Sequence, residues 1–415
     1  MNSICMLFPS SFPPFCGASF ISEYTFAQKL IKEDWNVSWV CVDPNKEDSI
    51  IDNINMYYIP KNSTEFFSEK IKYLSRKKEI EIYYTREFIS ALGVPQESKL
   101  IYLAQDFESY LNVTLFDIFF PKKYTIYDIN VSYFQLSDKW PFTKKIRQGV
   151  ERNLTKYYLF REIEKCKKNI FNALKKADFI IALSDTLKEI IINSGINSNK
   201  IKTIREGADI KFFNNHKYKN EIVKKYGITN DQINILYHGS IIKSKGVEYL
   251  IKSIPYITKK YNEIKILIIG DGPYLAYLKQ LSNKLDVDNY IIYLNSIDYK
   301  YIPSILNLAD ICVIPSANEP RHMALSSLKL YEAMAAGKPI IASNQPGKIE
   351  VFKLKKIGIL CEPENERDLA DAILKLIFNP KIRKTYSKNS AELGRVLNRE
   401  NFDIEKIEIL KSLIT

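Results

Sequence analysis

The sequence predicts an α/β protein made of two Rossmann-like, doubly wound domains, and three observations carry that prediction. At 415 residues the chain exceeds what one hydrophobic core usually organises. Short β-branched or aromatic runs alternate with longer amphipathic stretches through both halves, the pattern of parallel sheets flanked by helices. The composition turns polar around Asn214 to Lys219, which divides the chain into a domain over 1–211 and a second over 212–397. Residues 398–415 then form a helical segment expected to pack back on the first domain.

The strands follow in order. In the first half the runs Ser3 to Phe8, Val37 to Val42, Glu81 to Tyr84, Leu100 to Ala104 and Phe179 to Leu183 have the apolar character of buried parallel strands. A helix from about Phe20 to Ile31 follows the first of them. In the second half the runs are Ile233 to Tyr237, Lys265 to Ile269, Tyr290 to Leu294, Ile311 to Ile314, Pro339 to Ala342 and Gly358 to Cys361, most followed by turn residues and a helix. The last helix is expected over Phe402 to Leu413.

The formal net charge of +12 is compatible with an anionic partner such as nucleic acid, lipid headgroups or phosphorylated substrates, and does not choose among them. Cys5, Cys16, Cys41, Cys166, Cys312 and Cys361 stand singly, most of them in apolar runs, and read as reduced core residues of a cytoplasmic protein. Pro9, Pro13 and Pro14 interrupt the apolar start, so no signal peptide is expected. With no apolar run of about 18 residues, membrane contact is expected to be peripheral at most.

In open α/β sheets ligands lie beyond the carboxyl ends of the strands, so the loops there carry the chemistry. The first, Ser10 to Ser19, holds Gly17 ahead of a helix whose free N–H groups suit a phosphate or sugar. The second, Tyr237 to Glu248, combines Gly239 and Ser240, which open space for a diphosphate, with Lys245, whose ammonium can meet charge building on a departing nucleotide. The third is Gly270-Asp271-Gly272-Pro273, a tight turn able to sit beside a nucleotide. The fourth runs from Ile314 to Pro339; Ser326 or Ser327 caps a helix there, its amides suit phosphate, and Glu332, inside the first turns, suits the hydroxyls of a ribose. By residue type alone, each also reads as a plain turn or a capped helix with surface charges.

Taken in order, these loops resemble the superfamily of retaining glycosyltransferases with the GT-B fold, the group 1 or family 4-like enzymes. The resemblance spans nearly the whole chain and is strongest from Phe179 to Leu376. It rests on Ala177 to Ser184, Glu206-Gly207-Ala208-Asp209, Leu308 to Ser316, Gly358-Ile359-Leu360, Asp368-Leu369-Ala370 and, most specifically, Glu332 to Pro339. It implies two lobes facing across a cleft, an acceptor-binding domain followed by a nucleotide-sugar-binding one. Sugar would pass from a nucleoside diphosphate sugar with the anomeric configuration kept, with no metal and no cofactor beyond that donor substrate.

Carried over by position, Glu332 matches the glutamate that holds the donor ribose, and the amides of Ser327, Leu328 and Lys329 match the phosphate site. Lys245 matches the basic residue on the diphosphate, and Gly17 the first-domain loop that meets it. The stretch Leu294 to Ile297, with Ser296 inside it, lies where the nucleobase packs on backbone. The chain departs from the family in three places. Ala324 replaces a glutamate eight positions before Glu332, as in a subgroup with a Ser-Pro-Leu-Lys-like string that Ser327-Leu328-Lys329 resembles, which makes Lys329 an added phosphate contact. Ser240 replaces an arginine, leaving more of the electrostatic work to Lys245, with Lys243 or Arg321. Gln105 stands where a histidine is common and can hydrogen-bond a sugar without acting as a base.

Between Pro121 and Asn169 twelve lysines and arginines face five acidic residues, an excess of +7, interleaved with aromatics such as Tyr133, Trp140 and Tyr158. That mixture suits an anionic membrane surface or a lipid-linked saccharide acceptor, and equally a solvated face over an aromatic core. Other readings of the chain are a GT-B epimerase or phosphorylase and a non-catalytic nucleotide-sugar-binding subunit. A nucleic-acid binder has only the charge behind it.

Overall fold

The structure, a computed structural model, describes residues 2–7, 18–43, 45–60, 64–77, 82–85, 98–104, 168–214, 217–228, 231–319 and 326–414, with 80, 92, 94, 322 and 324 between them. Gly17, Gln105, Arg321 and nearly all of the basic segment 121–169 lie outside the described residues.

Two parallel sheets organise the chain. The first contains β1 (Ser3–Leu7), β2 (Asn36–Val42), β3 (Ser49–Ile51), β4 (Ile54–Ile59), β5 (Ile82–Thr85), β6 (Lys99–Ala104), β7 (Phe179–Ala182) and β8 (Ile201–Thr203), in the order β3-β4-β2-β1-β5-β6-β7-β8. The second contains β9 (Ile233–His238), β10 (Ile264–Ile269), β11 (Ile291–Tyr293), β12 (Ile311–Ile314), β13 (Ile340–Ser343) and β14 (Gly358–Cys361), in the order β11-β10-β9-β12-β13-β14. Pairing is parallel except between β3 and β4. Parallel strands with helices on both faces must be apolar on both sides, which is why β1, β5 and β12 are buried at every position.

The expected runs coincide with strands to within a residue or two, and the differences have local causes. β3, a three-residue edge strand, is too short for a long apolar run, and it turns into the six-residue β4 through Asp52 and Asn53 at φ 50° and 64°, both left-handed. β8 is only three residues long. β11 is shorter than Tyr290 to Leu294 because a 3₁₀ turn over Asp288–Tyr290 takes up its first residue. The first helix runs Ala18–Lys32 and the last Arg399–Ile414.

Near residue 208 the chain enters the second lobe: Ala208, Phe213 and Ile222 pack in the same apolar cluster as Leu236, Tyr331 and Met334. It returns by the same door. Asn398 bridges Ala208, the Arg399 N–H donates to the Ala208 carbonyl at 3.3 Å, and Ile407, Ile409 and Leu410 pack with Ile4, Met6 and Phe26 of the first sheet. Cys5, Cys41, Cys312 and Cys361 are thiols, outside any disulfide, buried in these cores. Among the described residues no helix is long and apolar enough to cross a membrane.

Candidate active site

In the second sheet the order of strands reverses between β9 and β12, since the chain builds outward from β9 through β10 to β11 and then crosses to the other side. The space beyond the carboxyl ends of two such strands is where an open α/β sheet leaves room for a ligand. Gly239, Gly270, Leu294 and the helix Leu328–Ala335 all follow strand ends on this rim.

The glycine loops are pressed together. The Gly239 N–H donates to the Ile269 carbonyl at 2.9 Å, the Ile241 N–H to Asp271 at 2.8 Å, and the Gly270 N–H to Asn295 at 2.8 Å. Gly270 has φ 135°, and a Cβ on it would overlap the Gly239 carbonyl oxygen, so only glycine allows this approach. These contacts bring Gly239, Gly270 and Gly272 to one edge, with Ser240 and Ser296 exposed beside them. The Leu294 side chain turns into the core, so only its backbone is available there.

Lys245 ends a 3₁₀ turn, Lys243–Lys245, which is held against the loop after β12: the Ala317 N–H donates to the Ser244 carbonyl at 3.0 Å. The same packing draws the second and fourth loops together.

The helix Leu328–Ala335 starts at Ser327, at φ 46°, a left-handed value that costs a non-glycine residue of order 1 kcal/mol and tends to occur at functional sites. The expectation of a serine cap is corrected here. Ser327 holds the cap position with no side-chain hydrogen bond among the described residues, and the Ser326 hydroxyl is 2.6 Å from that of Tyr331 instead. Lys329 folds back so that a Cβ at Gly239 would strike its Cε and Nζ, and its Nζ lies 5.8 Å from the Tyr237 ring centre. Its ammonium therefore sits against Gly239, the residue before Ser240. Burial pushes the Lys329 pKa down, against the pull of Glu332.

Glu332 is the chemical centre of the arrangement. It is 3% exposed, so the alternative of a surface charge does not hold. His238 Nε2 lies 2.7 Å from its Oε2, and the Tyr299 hydroxyl donates to Oε1 at 2.8 Å. Burial alone would raise the carboxyl pKa; contact with His238, the Tyr299 hydrogen bond and the charge of Lys329 outweigh it and hold it below the ordinary glutamate value. Tyr299 is stacked on Phe212 at 5.2 Å and 9° and meets Phe213 edge-on. Burial and Glu332 push its hydroxyl pKa far up, so it stays a donor.

Reading the residues in sequence missed both partners of Glu332. His238 offered one signal, as one of three histidines in the chain and the last residue of an apolar strand. Tyr299 offered none. Ala324, where the resemblance expects a second glutamate, is fully buried and belongs to the apolar cluster of Cys5, Leu7 and Ile180 in the first lobe, which does not suit a carboxylate.

Residues 218–393 match the family Glycosyl transferases group 1. The chain is 30% identical over 233 residues to an uncharacterized glycosyltransferase of Methanocaldococcus jannaschii, covering 56% of each chain. The chain spans little more than half the length of the curated relatives it matches. Among solved structures it is similar to a sucrose-phosphate synthase of Thermosynechococcus elongatus, at TM-score 0.74 and 19% identity over 100% of this chain and 99% of that one. It is also similar to Anabaena HepE in complex with UDP and glucose, at TM-score 0.71 and 15% identity over 99% and 100%. Residues 218–393 are thus similar to the group 1 glycosyltransferases, and the two parallel-sheet lobes share the GT-B fold of these solved neighbours.

Proposed function

We propose that the chain is a metal-independent, retaining glycosyltransferase that moves a hexose-type sugar from a nucleoside diphosphate sugar to a saccharide acceptor, lipid-linked or part of a cell envelope. One observation carries this reading: a buried carboxylate, Glu332, one turn inside a helix whose N-terminus no side chain caps among the described residues, with Lys329 folded against the glycine loop.

In this reading the Glu332 carboxylate binds ribose hydroxyls, and the amides of Leu328 and Lys329 receive phosphate at the positive end of the helix. The rim of Gly270, Gly272, Leu294 and Ser296 takes the nucleobase and ribose. Lys245 and Lys329 neutralise the diphosphate as it leaves, which is the main catalytic contribution when no protein base is at hand. The donor phosphate oxygen assists the acceptor hydroxyl on the same face of the sugar, which keeps the configuration. By the resemblance, Gly17 and Gln105, which lie outside the described residues, complete the donor and sugar site. The Anabaena relative's complex with UDP and glucose supports a donor of this class. The basic, aromatic segment 121–169 supports an anionic membrane surface as a partner, at the inner face of a cytoplasmic membrane.

The test is a thermal-shift screen of UDP-, GDP- and ADP-sugars, because a ligand that binds only the folded state raises its melting temperature. One of them should stabilise the chain and release nucleoside diphosphate when acceptor is added. Loss of both effects in Glu332→Ala and Lys245→Ala is expected. Stabilisation without release of nucleoside diphosphate would favour the non-catalytic reading, and no stabilisation by any of them would overturn both. For the membrane, co-sedimentation with anionic but not neutral vesicles is expected, and equal, negligible binding to both removes that partner.

A further inference from the structure

We infer that His238 and Tyr299 are positioning residues that clamp Glu332 from both sides and so make it selective for a ribose with both hydroxyls in place. The inference rests on the reading of Glu332 as the ribose contact.

An ionised carboxylate offers about four lone-pair sites, two on each oxygen. In this structure His238 takes one on Oε2 at 2.7 Å and Tyr299 takes one on Oε1 at 2.8 Å. One site remains on each oxygen. A pair of neighbouring cis hydroxyls brings two O–H donors, one for each, so the clamp leaves a carboxylate matched to a cis-diol and to little else.

The clamp also fixes direction. The last torsion of a glutamate is soft and broadly distributed, so an unpartnered carboxylate turns freely. Here the two partners come from separate elements. His238 is the final residue of β9, buried in the sheet, while Tyr299 follows β11 and is itself held by its stack on Phe212 and its edge contact with Phe213. With Glu332 3% exposed, little water competes for the remaining sites. A site built to hydrogen-bond a hydroxyl rejects an analogue lacking it strongly, because the polar group left behind stays unpaired.

A buried acid kept only for folding would also need partners, so the test reads selectivity rather than stability. Calorimetric titration of the full chain with UDP, 2′-deoxy-UDP and 3′-deoxy-UDP, with the GDP series in parallel, measures the preference for the ribo form. Wild-type chain should prefer it by about tenfold or more. Tyr299→Phe keeps the ring stack and removes the donor; His238→Leu removes the other. Each should reduce the preference to about threefold or less, while His238→Gln, which can still donate, keeps most of it. Glu332→Gln should abolish it.

Unchanged preference in Tyr299→Phe and His238→Leu, with loss in Glu332→Gln, overturns the clamp and leaves the ribose contact standing. Retained preference in Glu332→Gln, or no binding of either nucleotide series by wild-type chain, overturns the ribose contact and the clamp with it. If His238→Leu does not fold, Tyr299→Phe, which deletes a single oxygen, decides alone.

Discussion

The Glu350 carboxylate, on the Pro346–Leu354 helix of the second lobe, accepts the Thr186 N–H at 2.7 Å at the head of the Asp185–Asn193 helix of the first lobe. It also takes the Asp185 N–H at 3.0 Å and the Thr186 hydroxyl. Arg205 binds both Asp185 and Glu350. A helix start presents unpaired N–H groups and partial positive charge, so a carboxylate from the opposite lobe is bound there by charge and by hydrogen bonds together. Glu350→Ala should therefore cost about 1–2 kcal/mol, the range of a lost helix cap. Scanning calorimetry should show an earlier melt, or two transitions as the lobes uncouple. A melt superimposable on that of the wild-type chain would refute the latch.

Gly270→Ala tests the packing of the glycine loops. The added Cβ meets the Gly239 carbonyl oxygen, a backbone atom that cannot swing aside, at a φ of 135° that alanine rarely adopts. Strain and overpacking together should cost about 2–4 kcal/mol. Denaturant unfolding gives the stability and titration gives the affinity for nucleotide, and both should fall. Normal stability would mean the two loops are not held as closely as described.

The two lysines should differ from Glu332 in kinetic signature. If Lys245 and Lys329 act on charge that develops as the diphosphate departs, Lys245→Ala should lower kcat about 10²–10³-fold with a smaller change in KM. Lys329→Met, which keeps the bulk against Gly239, should show the same direction. A rise in KM at constant kcat would instead mark these lysines as contacts equal in ground and transition states.

The Glu332 carboxyl has a pH signature in stability. Its folded pKa is held below the ordinary value of 4.5, by contact with His238 and Tyr299 and the charge of Lys329 against the upward push of burial. A group with a depressed folded pKa contributes stability that is present above the unfolded pKa and lost as pH falls through the folded one. The melting-temperature gap between wild-type chain and Glu332→Gln should thus be constant from pH 7 to about 5 and shrink below 4.5. A gap that widens on acidification would reverse the assignment.

Much of the architecture was legible along the chain because parallel strands buried on both faces must be continuously apolar. Ile264–Ile269, Ile311–Ile314 and Ile340–Ser343 leave little room for another reading. The three-residue strands β3 and β8, at the two ends of the first sheet, were not legible, because short edge strands bury too little to need such a run. Of the site, the position of Glu332 within its helix could be read from Ser327 onward. Its burial could not, since a glutamate followed by Ala333 and Met334 looks the same whether it faces solvent or core.

What the sequence determined by itself was local: apolar runs, turns at glycine, and a helix start with an acid one turn in, each set by forces acting over a few residues. Tertiary structure decided which of these meet. His238 and Tyr299 lie 94 and 33 residues before the carboxylate they hold, and Glu350 lies 164 residues after the N–H it caps. Such contacts arise only when strand order brings distant loops to one rim, and the driving force for that is burial of sheet faces, which leaves no mark on the polar residues carried along with them.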